Sequence, residues 1–314
     1  MNTKQMLVAI CVGFSFNAAV QAKNHQLIDS IANQLKDNYV FPVIGEKYAK
    51  ALDDCKKSNC LEGATTEKEI AKKLSVVLNT VHKDKHLNVF PPGFESPIPN
   101  MKMVKRDGKK SAKANTGISK QTVLDNNIGY IKFDMFPGFP GAFEATQNAM
   151  LEMKNTDALI FDIREHRGGH PKHVDIIASF LFEKPTHMLT TRSPHNNDGQ
   201  PWKLISEPNE FAFHFRDKPV YILTSERSGS AAEHFTMAMK STGRAIVVGE
   251  TTGGYGHWGG IVELVDGYSM FLPQGGSYHP VNGLGWEEIG VTPDIQMSDD
   301  SSLEFVIERI KTFM

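Results

Sequence analysis

The stretch that decides the fold is residues 158–182, which read ALIFDIREHRGGHPKHVDIIASFLF. It opens with an apolar run, continues through a polar loop that holds two adjacent glycines, and closes with apolar residues at helical spacing. A buried strand that leads through a short loop into a helix is the repeating unit of a largely parallel α/β sheet. We therefore expect a strand at Ala158–Ile163 and a helix at Pro171–Phe182.

The same alternation of strands and helices continues on both sides, so residues 127–314 are predicted to form one α/β core. Helical apolar spacing across residues 26–84 predicts a small helical cap domain over residues 23–90. Between them, residues 91–126 are predicted to be a linker or surface excursion, because prolines and lysines replace apolar residues there. The remaining expected elements are strands at Ile128–Phe133, Val220–Thr224 and Ala245–Val248, helices at Ala142–Lys154, Ser230–Ser241 and 302–313, and extended segments at Gly260–Val265 and Tyr268–Leu272.

Composition excludes several classes of protein. The chain has 314 residues, 34 Lys plus Arg against 36 Asp plus Glu, and 40% hydrophobic residues, which is typical of an ordinary globular protein. The balanced charge argues against a nucleic-acid partner, since such proteins carry a basic excess. No apolar run reaches the length that a membrane-spanning helix needs.

The first 22 residues are predicted to be a signal peptide. Lys4 supplies a positive start, an apolar segment follows, and small residues at Val20 and Ala22 suit cleavage after Ala22. The alternative is a buried N-terminal helix. Export to the periplasm or the medium would place Cys55 and Cys60 in an oxidising compartment. There a close pair is expected to form a disulfide rather than half of a metal site.

Two loops of the predicted core contain residues suited to acyl transfer. Sites in α/β sheets form where strands end, and Ser230 stands there at the start of a predicted helix, near free backbone N–H groups. Gly168 and Gly169, in the loop after the preceding strand, let the backbone approach closely and could supply a further N–H donor. Taken alone, Ser230 could equally be a plain helix cap. His86 is a candidate base, at a junction that could face a cleft.

Metal and nucleotide sites are less favoured by the sequence. His82 and His86 have the spacing of a zinc-protease helix, but Lys83 occupies the position where that motif needs glutamate. His170 and His173 are also spaced for one helix face, without a third ligand. The glycine-rich stretch 249–256 lacks the Gly-Lys-Ser/Thr ending of a phosphate loop. We expect no metal and no cofactor.

Six short blocks in order resemble the tail-specific, or carboxyl-terminal processing, serine peptidases, in the branch related to tricorn protease cores and interphotoreceptor retinoid-binding protein. The resemblance runs from about Leu27 to Ile295. The blocks are 38–42 (NYVFP), 84–87 (DKHL), 162–169 (DIREHRGG), 224–233 (TSERSGSAAE), 249–254 (GETTGG) and 286–294 (WEEIGVTPD). The resemblance implies a core similar to the crotonase and Clp-protease spiral of β and α units. No PDZ insert is expected, since residues 91–126 are too few for one.

The resemblance also implies roles for individual residues, carried over position by position. Ser230 resembles the nucleophile, His86 the general base and Glu287 the acid that orients the base. The backbone N–H groups of Ala231 and of Gly168 or Gly169 resemble the oxyanion hole. Tyr255 and His166 are expected to contact the substrate.

Three positions depart from the family pattern. Lys85 and His166 replace the usual residues beside the base and in the oxyanion loop. The processing branch activates its serine with a lysine in a Gly-Lys-Gly step, whereas this chain has Gly254-Tyr255-Gly256, so the base falls to His86. The expected function is therefore an exported serine peptidase that acts on peptides or proteins. The alternative is a non-catalytic periplasmic binding protein for a hydrophobic ligand or peptide.

Overall fold

The computed structural model describes residues 3–95, 116–211 and 214–313, and the chain divides into two compact units. The first unit comprises Met1–Glu95 and Gly259–Gly275, and the second comprises Ser96–Trp258 and Gly276–Met314. The helices are α1 (Thr3–Asn38), α2 (Pro42–Lys57), α3 (Glu67–Val81), α4 (Pro140–Glu152), α5 (Lys172–Leu181), α6 (Ala231–Ser241) and α7 (Asp299–Phe313). The strands are β1 (Val89–Phe90), β2 (Ile118–Leu124), β3 (Ile128–Phe133), β4 (Ala158–Asp162), β5 (Thr186–Arg192), β6 (Trp202–Ser206), β7 (Val220–Thr224), β8 (Ile246–Gly249), β9 (His257–Glu263), β10 (Ser269–Tyr278) and β11 (Ile295–Gln296).

The first unit is built on helices α1, α2 and α3. Helix α3 begins with a capping box, in which Thr66 accepts from the Glu69 N–H and the Glu69 side chain accepts from the Thr66 N–H. Among the residues of α1 whose side chains the structure describes, 19–38, the buried ones begin at Leu27. Strand β1 pairs antiparallel with the start of β10, and Tyr268, Met270 and Leu272 complete the core between these helices and strands.

The second unit contains a six-stranded sheet in the order β11-β8-β7-β4-β3-β2. Only β2 is antiparallel, so the prediction of a largely parallel sheet is confirmed. Alternate side chains of each strand point to opposite faces. One face packs a core that contains residues of α4, α5 and α6, and the other packs against α7 through Val306 and Ile310. The loops after β4 and β7 therefore lie at the same edge of the sheet.

A second group of strands in this unit forms a small antiparallel array. The end of β10 pairs with β5, and β5 pairs with β6. Ser277, Thr191 and Trp202 lie opposite one another across these three strands. Directly opposed residues of antiparallel strands share a face, so these three side chains lie side by side.

The observed elements differ from the predicted ones in several places. Strand β2 lies inside the segment predicted to be a linker, of which residues 96–115 fall outside the described residues. Strands β5 and β6 were not predicted. Residues 259–275, which we assigned to the core, belong to the first unit. Helix α1 continues through the predicted cleavage position, so the signal peptide stays a prediction.

Two smaller features were also predicted. The disulfide between Cys55 and Cys60 is present in the first unit, with the two Cα atoms 4.9 Å apart. Within the described residues, none of the helices combines the length and the apolar character that crossing a membrane requires.

Candidate active site

Ser230 stands between β7 and α6 in an unusual backbone conformation, with φ 58° and ψ −117°. A serine that serves only as a helix cap has extended dihedral angles, and positive φ is costly for any residue except glycine. The preceding loop is held firmly: Ser228 Oγ donates to the Ile163 carbonyl at 2.8 Å and the Gly229 N–H donates to the His166 carbonyl at 2.9 Å. Such a strained strand-to-helix turn is the arrangement that exposes a nucleophilic serine.

Glu233 connects the start of α6 to the glycine-rich loop after β8. Its buried carboxylate accepts hydrogen bonds from the backbone N–H groups of Ser230 (2.8 Å), Gly254 (2.6 Å) and Tyr255 (2.7 Å), and from Thr252 Oγ1 (2.6 Å). Burial raises the pKa of Glu233, and these hydrogen bonds oppose that rise. Because its acceptor sites are occupied by fixed donors, Glu233 positions the loop and the serine.

The glycine pair after β4 lies directly against Ser230. A side chain at Gly168 would place its Cβ 2.7 Å from the Ser230 Cβ, and one at Gly169 would place its Cβ 2.1 Å from the Phe136 carbonyl oxygen. Both glycines have positive φ, 110° and 136°. Glycine is therefore required at both positions.

The backbone N–H groups around Ser230 differ in whether they already have a hydrogen-bond acceptor. The Gly168 N–H donates to His166 Nδ1 at 3.0 Å. Phe136 forms a parallel bridge with Gly169: the Phe136 N–H donates to the Gly168 carbonyl and the Phe136 carbonyl accepts from the His170 N–H. Gly169 itself takes no part in these two hydrogen bonds, so its N–H points to the other side of the segment. Within the described residues, neither the Gly169 N–H nor the Ala231 N–H at the first turn of α6 has an acceptor in the protein.

His166 does not lie where a substrate could touch it. Its side chain is fully buried, packs edge-on against Phe136 at 4.2 Å between ring centroids, and accepts from the Gly168 N–H. Burial lowers the pKa of His166 to about 3, which keeps the imidazole neutral. The expectation that His166 contacts the substrate is therefore corrected: its contacts are inside the glycine loop.

Glu287 lies beside the segment that follows Tyr255. Its Oε2 accepts from the backbone N–H groups of Gly256 (2.6 Å) and His257 (3.0 Å), and it lies 3.7 Å from Nδ1 of His257. His257 is only 5% exposed and was not identified from the sequence. His257 directly follows the Gly254-Tyr255-Gly256 step, and this position could have marked it as a candidate site residue.

His86 belongs to the first unit, where its position is well defined. Its backbone N–H donates to Asp84 Oδ1 at 3.1 Å, and its ring stacks on Phe271 with 4.7 Å between the centroids. Asp84 is buried and its Oδ2 accepts from the Tyr39 hydroxyl at 2.8 Å. Tyr39 and Asp84 come from the first two blocks of the resemblance, so these blocks meet around His86 within one unit.

A cavity of about 250 Å³ opens beside Ser230 in the second unit. Ser230, Ala231, Gly169 and Tyr255 all line it, so four of the residues predicted for the site surround one space. His257 lines it as well. The arrangement offers a hydroxyl on a strained turn, two backbone N–H donors and a walled space beside them, which is what acyl transfer to a serine requires.

Comparison with known proteins places the chain in a family. The sequence profile of peptidase family S41 matches residues 127–297, and the profile of the N-terminal domain of Peptidase_S41 in eukaryotic IRBP matches residues 18–122. The chain belongs to peptidase family S41.

Individual relatives agree with this assignment. The chain is 28% identical over 256 residues to carboxyl-terminal-processing peptidase 3, chloroplastic, of Arabidopsis thaliana, covering 77% of this chain and 46% of that protein. The chain thus spans less than half the length of the curated relatives it matches. Its fold is similar to the photosystem II D1 C-terminal processing protease (TM-score 0.60, 16% identity, covering 91% of this chain and 96% of that one). It is also similar to the tricorn protease (TM-score 0.64, 15% identity, covering 93% and 37%).

Proposed function

We propose that this protein is a serine peptidase that hydrolyses peptide bonds through an acyl-enzyme on Ser230. The observation that carries the proposal is the strained Ser230 turn beside the unpaired N–H groups of Gly169 and Ala231. Membership of peptidase family S41 supports it.

In the proposed reaction, Ser230 Oγ attacks the carbonyl carbon of the scissile bond while His86 takes its proton. The oxyanion that forms accepts hydrogen bonds from the Gly169 and Ala231 N–H groups. We assign this role to Gly169 rather than Gly168, because the Gly168 N–H is occupied by His166. His86 then gives the proton to the leaving amine, and water releases the acyl group by the reverse sequence.

The base and its orienting acid are assigned as His86 and Glu287 on the family resemblance. Within the first unit, the Asp84 hydrogen bond and the Phe271 stack hold His86 in place. Within the second unit, hydrogen bonds from two backbone N–H groups hold the Glu287 side chain in place. We propose peptides or proteins as substrates, a crotonase-like arrangement of the core, and a periplasmic or secreted location after signal-peptide cleavage.

Labelling with an alkyl fluorophosphonate, read by intact-protein mass spectrometry, tests the nucleophile. The wild-type chain and Ser119→Ala, a change at an exposed serine on β2, should gain one adduct, whereas Ser230→Ala should gain none. A wild-type chain that is folded but not labelled would favour the non-catalytic binding protein instead.

A further inference from the structure

The cavity beside Ser230 has a floor that the proposed reaction does not explain. Its residues Thr191 and Ser277 come from paired strands, and Trp286 lies in the same lining. Each of these residues is at least 97% buried, and Thr191 Oγ1, Ser277 Oγ and Trp286 Nε1 have no hydrogen-bond partner among the described residues. All three atoms are fully buried, so in this conformation they lie just behind the surface of the cavity. Three shielded polar atoms without partners in one small region are unusual in a folded protein, where buried polar groups are nearly all paired.

The walls of the same cavity are apolar and aromatic. Trp202 and Trp258 meet edge to face with ring centroids 6.2 Å apart, and Leu204 continues the wall along β6. Aromatic walls of this kind favour a flat, apolar group, which packs edge-on or offset against the rings. At about 250 Å³ the cavity is smaller than the usual ligand pocket of about 300–1,000 Å³, so it suits one large side chain.

The charged residues of the lining further restrict which substrate side chain fits the cavity. No lysine or arginine is among the described residues that line the cavity, and the Asp175 carboxyl stands at its exposed edge. An anionic side chain would meet no lysine or arginine in this lining, and a cationic one would find no acid at the floor. The hydroxyls of Thr191 and Ser277 can donate and accept, so a polar group at the buried end of the substrate side chain would find partners there.

The position of the cavity identifies which substrate residue enters it. Gly169, Ser230 and Ala231 line one side, and these residues would hold the scissile carbonyl. The residue on the amino side of the scissile bond carries its side chain on the carbon next to that carbonyl. A cavity that shares walls with the carbonyl site is therefore placed to receive this side chain.

We propose that this cavity is the specificity pocket for the residue on the amino side of the scissile bond, and that it selects tyrosine. This rests on the proposed peptidase function. The phenol ring packs between the tryptophans, and its oxygen bonds to the hydroxyl of Ser277 or Thr191. A χ1 rotation of either hydroxyl residue turns the oxygen toward the cavity.

Aminophosphonate diphenyl esters with tyrosine, phenylalanine, alanine or glutamate side chains test the selectivity, because each labels the serine at a rate that reports its side chain. Tyrosine should react faster than phenylalanine by roughly 5- to 150-fold, since phenylalanine leaves the floor atoms unpaired. It should exceed alanine by more than about 100-fold, because alanine leaves the aromatic walls empty. Equal rates for tyrosine and phenylalanine, or a preference for alanine or glutamate, would overturn the proposal.

Variants of the floor give the second arm of the test. Thr191→Val combined with Ser277→Ala removes both hydroxyls and should bring the tyrosine-to-phenylalanine ratio down toward 1. Thr190→Val is the matched control, because Thr190 is the adjacent residue of β5 and points to the opposite face. A double variant that keeps the wild-type ratio would contradict the proposal.

The alkyl fluorophosphonate distinguishes failure of the pocket assignment from failure of the proposed peptidase function, because it carries no amino-acid side chain that would enter the pocket. If it labels Ser230 while the four esters react alike, the peptidase function stands and the pocket assignment fails. If neither reagent labels a folded wild-type chain, the proposed function itself fails. Labelling of the double variant by the fluorophosphonate also shows that the variant has folded.

Discussion

Ser230 holds dihedral angles that glycine adopts easily and serine does not. Replacing Ser230 by alanine or by glycine removes the same hydroxyl, so the difference between the two variants isolates the backbone strain. We expect Ser230→Gly to be more stable than Ser230→Ala by about 1–2 kcal/mol, the strain relieved less the entropy cost of glycine. Urea unfolding of both variants measures it, and equal stabilities would mean that the turn is unstrained.

Loss of the hydroxyl should also remove activity. Ser230→Ala is expected to lower turnover by on the order of 10⁶, as removal of a serine nucleophile does. If activity near the wild-type level persisted in the folded variant, Ser230 would be a helix cap only.

The base can be distinguished from the other nearby histidines by non-additivity. His86→Ala should lower turnover about as much as Ser230→Ala. The double variant should be hardly less active than either single one, because once one residue of a catalytic unit is gone the other no longer contributes. Glu287→Gln should cost less, and His82→Ala serves as the control. Inactivation by His257→Ala, with His86→Ala still active, would move the base to His257, which contacts Glu287.

The pH profile tests the same assignment independently. Histidine ordinarily titrates near 6.5, so kcat/KM should rise through a single ionisation between about 6 and 7.5 and then level off. Tyr255→Phe should keep this limb, because the phenol is not the base. A profile that climbs steeply above pH 9, where tyrosine or lysine ordinarily loses its proton, is the contrary result.

At the scale of the elements, Glu233 joins the first turn of α6 to the loop that carries Tyr255. Glu233→Gln keeps the shape but turns an amide NH₂ toward backbone N–H donors, so at least one of four hydrogen bonds is lost and replaced by repulsion. We expect a loss of about 2–4 kcal/mol in the free energy of unfolding. Glu144→Gln, on the exposed face of α4, is the control for thermal and urea unfolding. A Glu233 variant as stable as this control would show that the loop is held by other contacts.

Elements were predictable from the sequence where burial is strong and periodic. Strands β3 and β7 agree with their predicted bounds, because nearly every residue in them is buried. Strand β2 is half exposed, and in β6 half-buried and exposed residues alternate over 202–205, so neither presents a buried apolar run. The first half of β10 lies in the extended segment predicted at Tyr268–Leu272, but its second half was missed, because Pro273 and two glycines predict a break rather than a continuous strand.

These missed strands explain why the site was only partly predictable. The nucleophile turn, the glycine loop and Tyr255 follow buried strands or lie in recognisable blocks, so their places could be anticipated. The cavity depends on strand pairing that brings Ser277, Thr191 and Trp202 together, which no local pattern reveals. Glu233 could have been found, since Ser230 and Glu233 have capping-box spacing.

At the scale of the whole molecule, buried neutral histidines make stability depend on pH. Burial lowers the pKa of His166 to about 3 and of His173 to about 4, and His173 Nε2 contacts the Pro137 carbonyl at 2.8 Å. Their contribution is complete above about 6.5, the pKa of histidine in the unfolded chain. This contribution to stability is lost as pH falls, because the unfolded chain then binds protons at these histidines and the folded chain does not.

Between about pH 6 and 4, each of these histidines should therefore add up to about 1.4 kcal/mol per pH unit to the slope of unfolding free energy against pH, with the largest effect near pH 5. His173→Gln should reduce the slope by one such contribution. Urea unfolding at several pH values measures the slopes. An unaltered slope in His173→Gln would mean that His173 gains its proton in the folded protein.

The first unit is encoded in two separate parts of the gene, residues 1–95 and residues 259–275. A fragment that ends after Glu95 would lack Tyr268, Met270 and Leu272, which complete its buried core, and would also lose the strand that pairs with β1. Exchange of this unit between relatives by recombination thus requires two coordinated crossovers. Residues on the two distant coding segments are consequently expected to change together during divergence.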